Sequence, residues 1–317
     1  MKNKEHIQAI NGPYQVVSGT YPFHIPRRDT RVYPKEFPDN ASALFPSFFQ
    51  KKILDGWGPK EKLFDENSNI FTMGSCFATH IQKAMKKRKE ELGIKDNENF
   101  TVLHVPSSVN NSFGIRQFFE WSLENKISEG SYWHEDDATK YSPNGERELY
   151  EKWLKESDGF VFTFGLSEIW KDLETDTVFW RAVPQDLYNE NKVRYKFELS
   201  TVEDNVKQIR SLIEIIRKNV GNVPIILTVS PVQLMATFRG VSAITANAVS
   251  KAILRVAVDL IMNENHENVF YWPSYEVFKE INQHMNNKSF GADGAINHPN
   301  MPIVQKVVNE FFDAYYK

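Results

Sequence analysis

The chain is short of cysteine, of long apolar runs and of clustered basic charge. Its 317 residues contain one cysteine, Cys76. An intrachain disulfide is therefore excluded, and so is a zinc site built on several thiolates. No apolar run reaches the roughly 20 residues a membrane-spanning helix needs. The segment Met1 to Ile10 is polar and lacks the apolar stretch of a secretory leader, so a cytoplasmic protein with no membrane span is expected. Lys and Arg number 38 against 41 Asp and Glu, a net charge of −3. The densest basic run, Lys86 to Lys89, falls late in an expected helix, where cations suit the helix dipole. It reads as a solvated face, and nucleic acid is not an expected partner. No closely spaced His/Asp pair such as His-Glu-x-x-His is present, so neither a metal nor a cofactor is expected.

What is present is an ordinary globular composition, 41% hydrophobic and 25% charged, on a chain long enough to bury a full core. Residues 1–60 show little periodicity but are rich in proline and aromatics, among them Pro13, Pro22, Pro26, Tyr14, Phe23 and Phe49. Disordered tails are poor in aromatics, so this segment is expected as an extended wrap packed on the core, or as the cover of a homo-oligomer interface. Residues 61–317 alternate apolar runs with helical stripes. Strands are expected near 70–74, 101–105, 160–164, 225–229 and 269–272. Helical stripes are Phe77/Ile81/Met85, Val206/Ile209/Leu212/Ile213/Ile216, Val249/Ala252/Ile253/Val256/Leu260 and Ile303/Val304/Val307/Val308/Phe311. This alternation predicts a three-layer α/β/α sandwich on a mostly parallel five-stranded sheet, with insertions near 126–157 and 172–198.

The stretch that organises the rest is Phe71-Thr72-Met73-Gly74-Ser75-Cys76-Phe77-Ala78. A strand turns at Gly74 and a helix begins at Cys76. Such a turn presents the Ser75 side chain at the carboxyl edge of a sheet, beside N–H groups that lack helical partners. Those are the requirements of a nucleophile whose attack on a carbonyl creates an oxyanion. The simpler reading is a cap, since serine is a favoured residue before a helix. Cys76, in the first helical turn, is a second nucleophile type at the same place.

Gly74-Ser75-Cys76-Phe77-Ala78 resembles the signature of the GSCFA domain family, part of the wider SGNH (GDSL-like) hydrolase superfamily. Further blocks agree in order. Asn111-Ser112-Phe113-Gly114 resembles an Asn-Pro-Phe-Gly loop with Ser112 where proline is usual. Gly165-Leu166-Ser167-Glu168, Thr228 to Val232 and Pro273 to Glu276 resemble later blocks. The resemblance runs from about Phe71 to the C-terminus. It implies an SGNH, flavodoxin-like fold, with Ser75 as nucleophile, His298 as general base and the N–H groups of Ser75 and Gly114 as oxyanion donors. The superfamily's third donor is an asparagine. Here that position is Ser167, whose hydroxyl reaches less far, with Asn110 or Asn111 as neighbours able to compensate. The usual aspartate three residues before the histidine is Ala295, and Asp293 stands five before it. His298 therefore pairs with Asp293 through a longer loop, or with a backbone carbonyl as a dyad.

Glu168, Trp180 and Arg181 join Asn110 and Asn111 as candidate substrate-binding residues. An aromatic ring can stack on a sugar, and a guanidinium can pair with an acidic group. Each has a structural alternative: packing for Trp180, and a buried partner for an arginine in the case of Glu168. His80, one turn beyond Cys76, reads as a surface residue or a support to the site. Two functions are expected in competition. One is an esterase or O-acyltransferase that takes a small acyl ester, such as an acetyl ester of a carbohydrate. The other is a non-catalytic glycan-binding or structural protein that keeps the fold.

Overall fold

The computed structural model describes residues 14–16, 24–26, 33–34, 36–94, 109–126, 145–180, 182–281, 284–286, 290–291, 294 and 298–317. The expected strand at 101–105, residues 127–144 of the first insertion, Arg181 and Asp293 lie outside the described residues. The chain divides into two compact units, 1–37 and 38–317. In the first, β1 (Tyr14–Val16) pairs antiparallel with β2 (His24–Pro26), with Tyr14 opposite Pro26.

The second unit opens with helix where an extended run is expected. Asn40 caps Ala41–Ala43 by accepting the N–H groups of Ser42 and Ala43. The helix continues over Leu44–Ile53 with an extended break at Phe45. Phe49 from this stretch is fully buried, its ring 5.2 Å from that of Trp272.

The central sheet has four strands among the described residues, not five. They are β3 (Ile70–Gly74), β4 (Gly159–Phe164), β8 (Ile225–Val229) and β9 (Val269–Tyr271), in the order β3-β4-β8-β9 and all parallel. The register sets Phe71, Phe160, Ile225 and Val269 side by side. Because side chains alternate across a strand, that row and the row of Met73, Phe162, Leu227 and Tyr271 share one face. There they join one apolar cluster with α2 (Ser112–Glu124), α3 (Gly145–Lys155), α5 (Val202–Asn219) and α6 (Ala243–Asn263). Burial of each large apolar side chain in such a cluster is worth roughly 1.5–3 kcal/mol. The alternate residues face the other way. Phe270 meets Tyr315, and Trp272 meets Phe311 and Tyr315, all on the sheet-facing side of α7 (Met301–Tyr315). This helix packs in turn on α1 (Cys76–Glu91).

The insertion at 172–198 is ordered as a small sheet of its own. β5 (Glu168–Asp172) lies between β6 (Thr177–Val178) and β7 (Tyr195–Leu199), antiparallel to both, with the short α4 (Gln185–Glu190) in the connection. Asp172, fully buried, fastens it through a two-pronged pair with Arg194 at 2.9 and 2.7 Å. These hydrogen bonds hold the Asp172 carboxyl below its ordinary pKa, against the opposing effect of burial.

One helix faces the opposite way from its expected stripe. In α6 the inward residues are Ala246, Ser250, Lys251, Leu254, Ala257, Val258 and Ile261, whereas Val249, Val256 and Leu260 are 39%, 47% and 44% exposed. The helix is apolar on several sides, so periodicity alone names no unique face. The face chosen includes small residues, Ala246, Ser250 and Ala257, that let the helix lie close to its neighbours.

Candidate functional site

Ser75 stands at the carboxyl end of β3. Gly74 before it has φ +128°, and a β-carbon there would lie 2.1 Å from the Thr163 carbonyl oxygen. Only glycine fits both the angle and the gap. The tight turn brings the Ser75 N–H to 3.1 Å from the same carbonyl, and the Ser75 hydroxyl accepts the Phe77 N–H at 3.3 Å. Ser75 thus caps α1. Its residue is 3% exposed. Of Cys76, the backbone begins α1.

His298 is exposed and lies just before α7. Its carbonyl accepts the Gly291 N–H at 2.9 Å, and Pro299 pairs across from Phe290. With Phe77, His80, Val232 and Met301 it lines a cavity of about 220 Å³. Phe77 is two residues beyond Ser75, but Ser75 itself is not among the residues that line the cavity. His80 also belongs to this cavity. Burial, with Lys83 and His298 nearby, pushes its imidazole below the ordinary value.

Four other expected residues come together elsewhere. Asn110, Asn111, Glu168 and Trp180 line a cavity of about 290 Å³ whose remaining wall is apolar and includes the aromatic residues Trp170, Phe179, Phe197 and Phe238. Glu168 is nearly buried and accepts a hydrogen bond from Thr237 Oγ1 at 2.9 Å. Burial raises its pKa, partly offset by Thr237 and by the charge of Arg239. Asn111 caps α2 through the Gly114 N–H at 2.8 Å and donates to the Trp180 carbonyl at 3.1 Å. Gly114 has Trp180 Cα 3.1 Å from where a β-carbon would stand, so the α2 turn and the insertion meet closely there.

The three expected oxyanion donors all have internal partners. The Ser75 amide bonds Thr163, the Gly114 amide bonds Asn111, and the Ser167 hydroxyl is turned to Ser250 Oγ at 3.0 Å. Ser167 is fully buried, and its N–H also bonds Ser250 Oγ at 3.0 Å. Its carbonyl accepts both the N–H and the hydroxyl of Ser200, and Asn205 links Ser200 to the Ser112 hydroxyl. Ser112 therefore serves Asn205 where the family loop commonly has proline. Asn110 contrasts with these. Its side chain makes no hydrogen bond among the described residues, and its Oδ1 is buried.

His80 was legible as a surface residue or a support to the site, and Lys251 was not legible as part of this region. His80 is one helical turn past the serine turn, a position that can face solvent or the base. Lys251 is a lysine within an apolar helix, which usually signals a solvent-facing position. Here it is buried and donates to the Gly165 carbonyl at 2.7 Å. Among the described residues, no three His, Cys, Asp or Glu side chains converge as a metal site, and no helix is long and apolar enough to cross a membrane.

No curated protein matches the chain. A crystal structure of a GDSL-like lipase candidate from Parabacteroides merdae ATCC 43184 aligns with 80% of this chain and 98% of its own, at 12% identity and a TM-score of 0.37. A likeness that weak carries no argument about fold or activity. The GSCFA family model matches residues 69–311, from the strand that carries Ser75 almost to the end of α7. The chain belongs to the GSCFA family.

Proposed function

We propose that this protein is a serine hydrolase or O-acyltransferase of the SGNH type, acting on small acyl esters of a carbohydrate or similar polar acceptor. Ser75 Oγ attacks the acyl carbonyl, its proton passes to His298, and the alkoxide leaves with that proton. Water or a second hydroxyl then attacks the acyl-enzyme and releases Ser75. Asp293 is the candidate partner that orients His298.

The observation that carries this reading is the cavity beside the serine's helix that His298 lines. His298 and Phe77 line one space, and Phe77 is two residues from a serine whose turn admits only glycine before it. Because Ser75 Oγ accepts the Phe77 N–H, its own proton is left for a base. A separate cavity with Asn110, Glu168 and Trp180 has the mixed aromatic and polar lining suited to a sugar. The Asn110 side chain, with no hydrogen bond among the described residues, is the candidate to supply the amide donor that the Ser167 position lacks.

The test is turnover of a chromogenic acetyl ester by the wild type and Ser75→Ala, with fluorophosphonate labelling of both. Turnover and labelling that vanish together in the variant support the proposal. Equal turnover removes Ser75 from the mechanism. Addition of a sugar acceptor separates transfer from hydrolysis by product partition.

A second reading, a non-catalytic glycan-binding protein, is favoured by the near-burial of Ser75 and the internal pairing of the three expected donors. It predicts glycan binding with no labelling of Ser75.

A further inference from the structure

Lys251 is buried within α6, yet it has no carboxylate partner among the described residues. Its single hydrogen bond goes to the Gly165 carbonyl, which leaves two of its three donors unspent. Buried lysines are normally paired, because a lone ammonium away from water is expensive. This one lines a cavity of about 200 Å³ together with Pro231, Gln233, Asn247, Tyr275 and Lys279. Pro231 follows β8 by two residues, so the cavity opens beyond the carboxyl end of a central parallel strand, where ligands of such sheets bind.

The charged residues that line the cavity are both lysines, with Glu276 and Glu280 near Tyr275. Lys251 reaches it from α6 and Lys279 from the helical stretch Val277–Ile281 that follows β9. The nearby Glu276 carboxylate is engaged by Arg255 at 2.7 Å and by the Tyr271 hydroxyl. Asn247 uses its Oδ1 to accept the Leu234 N–H at 3.0 Å, and its amide donors remain. Tyr275 adds a phenol that burial and two glutamates push up to about 12, so it stays a donor at neutral pH. Cations and donors in a lining that holds no carboxylate form the chemical complement of an oxyanion.

We propose that this cavity is a binding site for a small ligand bearing a carboxylate or phosphate group, which the Lys251 ammonium recognises and Lys279 and Asn247 hold at the rim. The site is distinct from the cavities of His298 and Glu168, and it stands whatever the chemistry at Ser75. Burial pushes the Lys251 amine down to about 7 in the empty cavity. An arriving anion then favours the charged amine, and binding takes up a proton at mildly basic pH.

The test is titration calorimetry on the full chain at pH 6.5 with acetate, inorganic phosphate and chloride as separate probes. Acetate or phosphate is expected to bind and chloride is not, and the stronger of the two identifies the ligand class. Lys251→Met should weaken binding at least about tenfold, while an exposed lysine elsewhere, changed in Lys60→Met, leaves it unchanged. For acetate, whose own charge is constant over the range, affinity should fall roughly tenfold or more between pH 6.5 and 8.5. At pH 8 the heat should depend on the buffer's ionisation enthalpy, which reports the proton taken up. Should Lys251→Met fail to fold, Lys279→Met and Asn247→Ala at the rim carry the test together with the proton uptake of the unmutated protein. Absence of binding by both oxyanions, or affinity that ignores pH and these variants, overturns the proposal.

Discussion

A β-carbon on Gly74 would stand 2.1 Å from the carbonyl oxygen of Thr163 on the neighbouring strand. The same oxygen receives the Ser75 N–H at 3.1 Å. The turn is thus drawn against β4 by a bond that needs the glycine's missing side chain.

Gly74→Ala is expected to destabilise the protein by at least about 2 kcal/mol, since it adds a backbone clash to an unfavourable positive φ. Urea unfolding measures this. Gly221 also has positive φ, +122°, but open space around it. Its alanine variant should cost about 1 kcal/mol and so calibrate the angle alone.

Asn110 and Ser167 should respond in opposite ways. Asn110→Ala removes a side chain with no hydrogen bond among the described residues, so unfolding should change little. If its amide steadies the oxyanion, kcat on an acetyl ester falls about a hundredfold. Ser167→Ala breaks the hydroxyl bond to Ser250 and should lower stability by about 1 kcal/mol, with the smaller effect on kcat. A reversed pattern in paired kinetics and unfolding would return the donor role to Ser167.

Ser112→Ala should cost about 1–3 kcal/mol, because the buried Asn205 Oδ1 loses the hydroxyl that donates to it at 2.7 Å. A double-mutant cycle with Asn205→Ala should recover much of that as coupling. Ser112 is also the first residue of α2. A proline there suits the helix, so Ser112→Pro tests whether the cost lies in Asn205 alone.

Lys251 should leave its mark on stability against pH. Its folded amine value is lowered to about 7 from 10.5. Between those values the unfolded chain binds the extra proton, so this group makes stability rise as pH rises above about 7. Below 7 both states are charged and the penalty is complete, on the order of a few kcal/mol. Lys251→Met should lose that rise, and chemical denaturation at pH 6 and 9 measures it.

Much of the central architecture was legible because it rests on strong periodic signals. Ile209, Leu212 and Ile216 in α5 and Val304, Val307 and Phe311 in α7 face inward as their spacing requires. In α6 the signal failed, because Val249 and Val256 are as apolar as Leu254 and Val258, and the choice falls to fit against the neighbouring elements. The insertion at 172–198 was legible as an insertion, but its closure into a sheet depends on Asp172 finding Arg194 across 22 residues. At the site, the serine turn is a local pattern and could be read directly. The partners of Ser167 and the burial of Lys251 arise from the packing of α6 on the 165–167 loop, which no short motif encodes.

The segment that carries His298 is closed on itself. Gly291 N–H grips the His298 carbonyl, and Phe290 faces Pro299 beside it. A clasp of this kind anchors the backbone at Gly291 and at His298, whatever the length of chain between them. Residues can then be gained or lost within the span while the backbone at the imidazole keeps its anchorage.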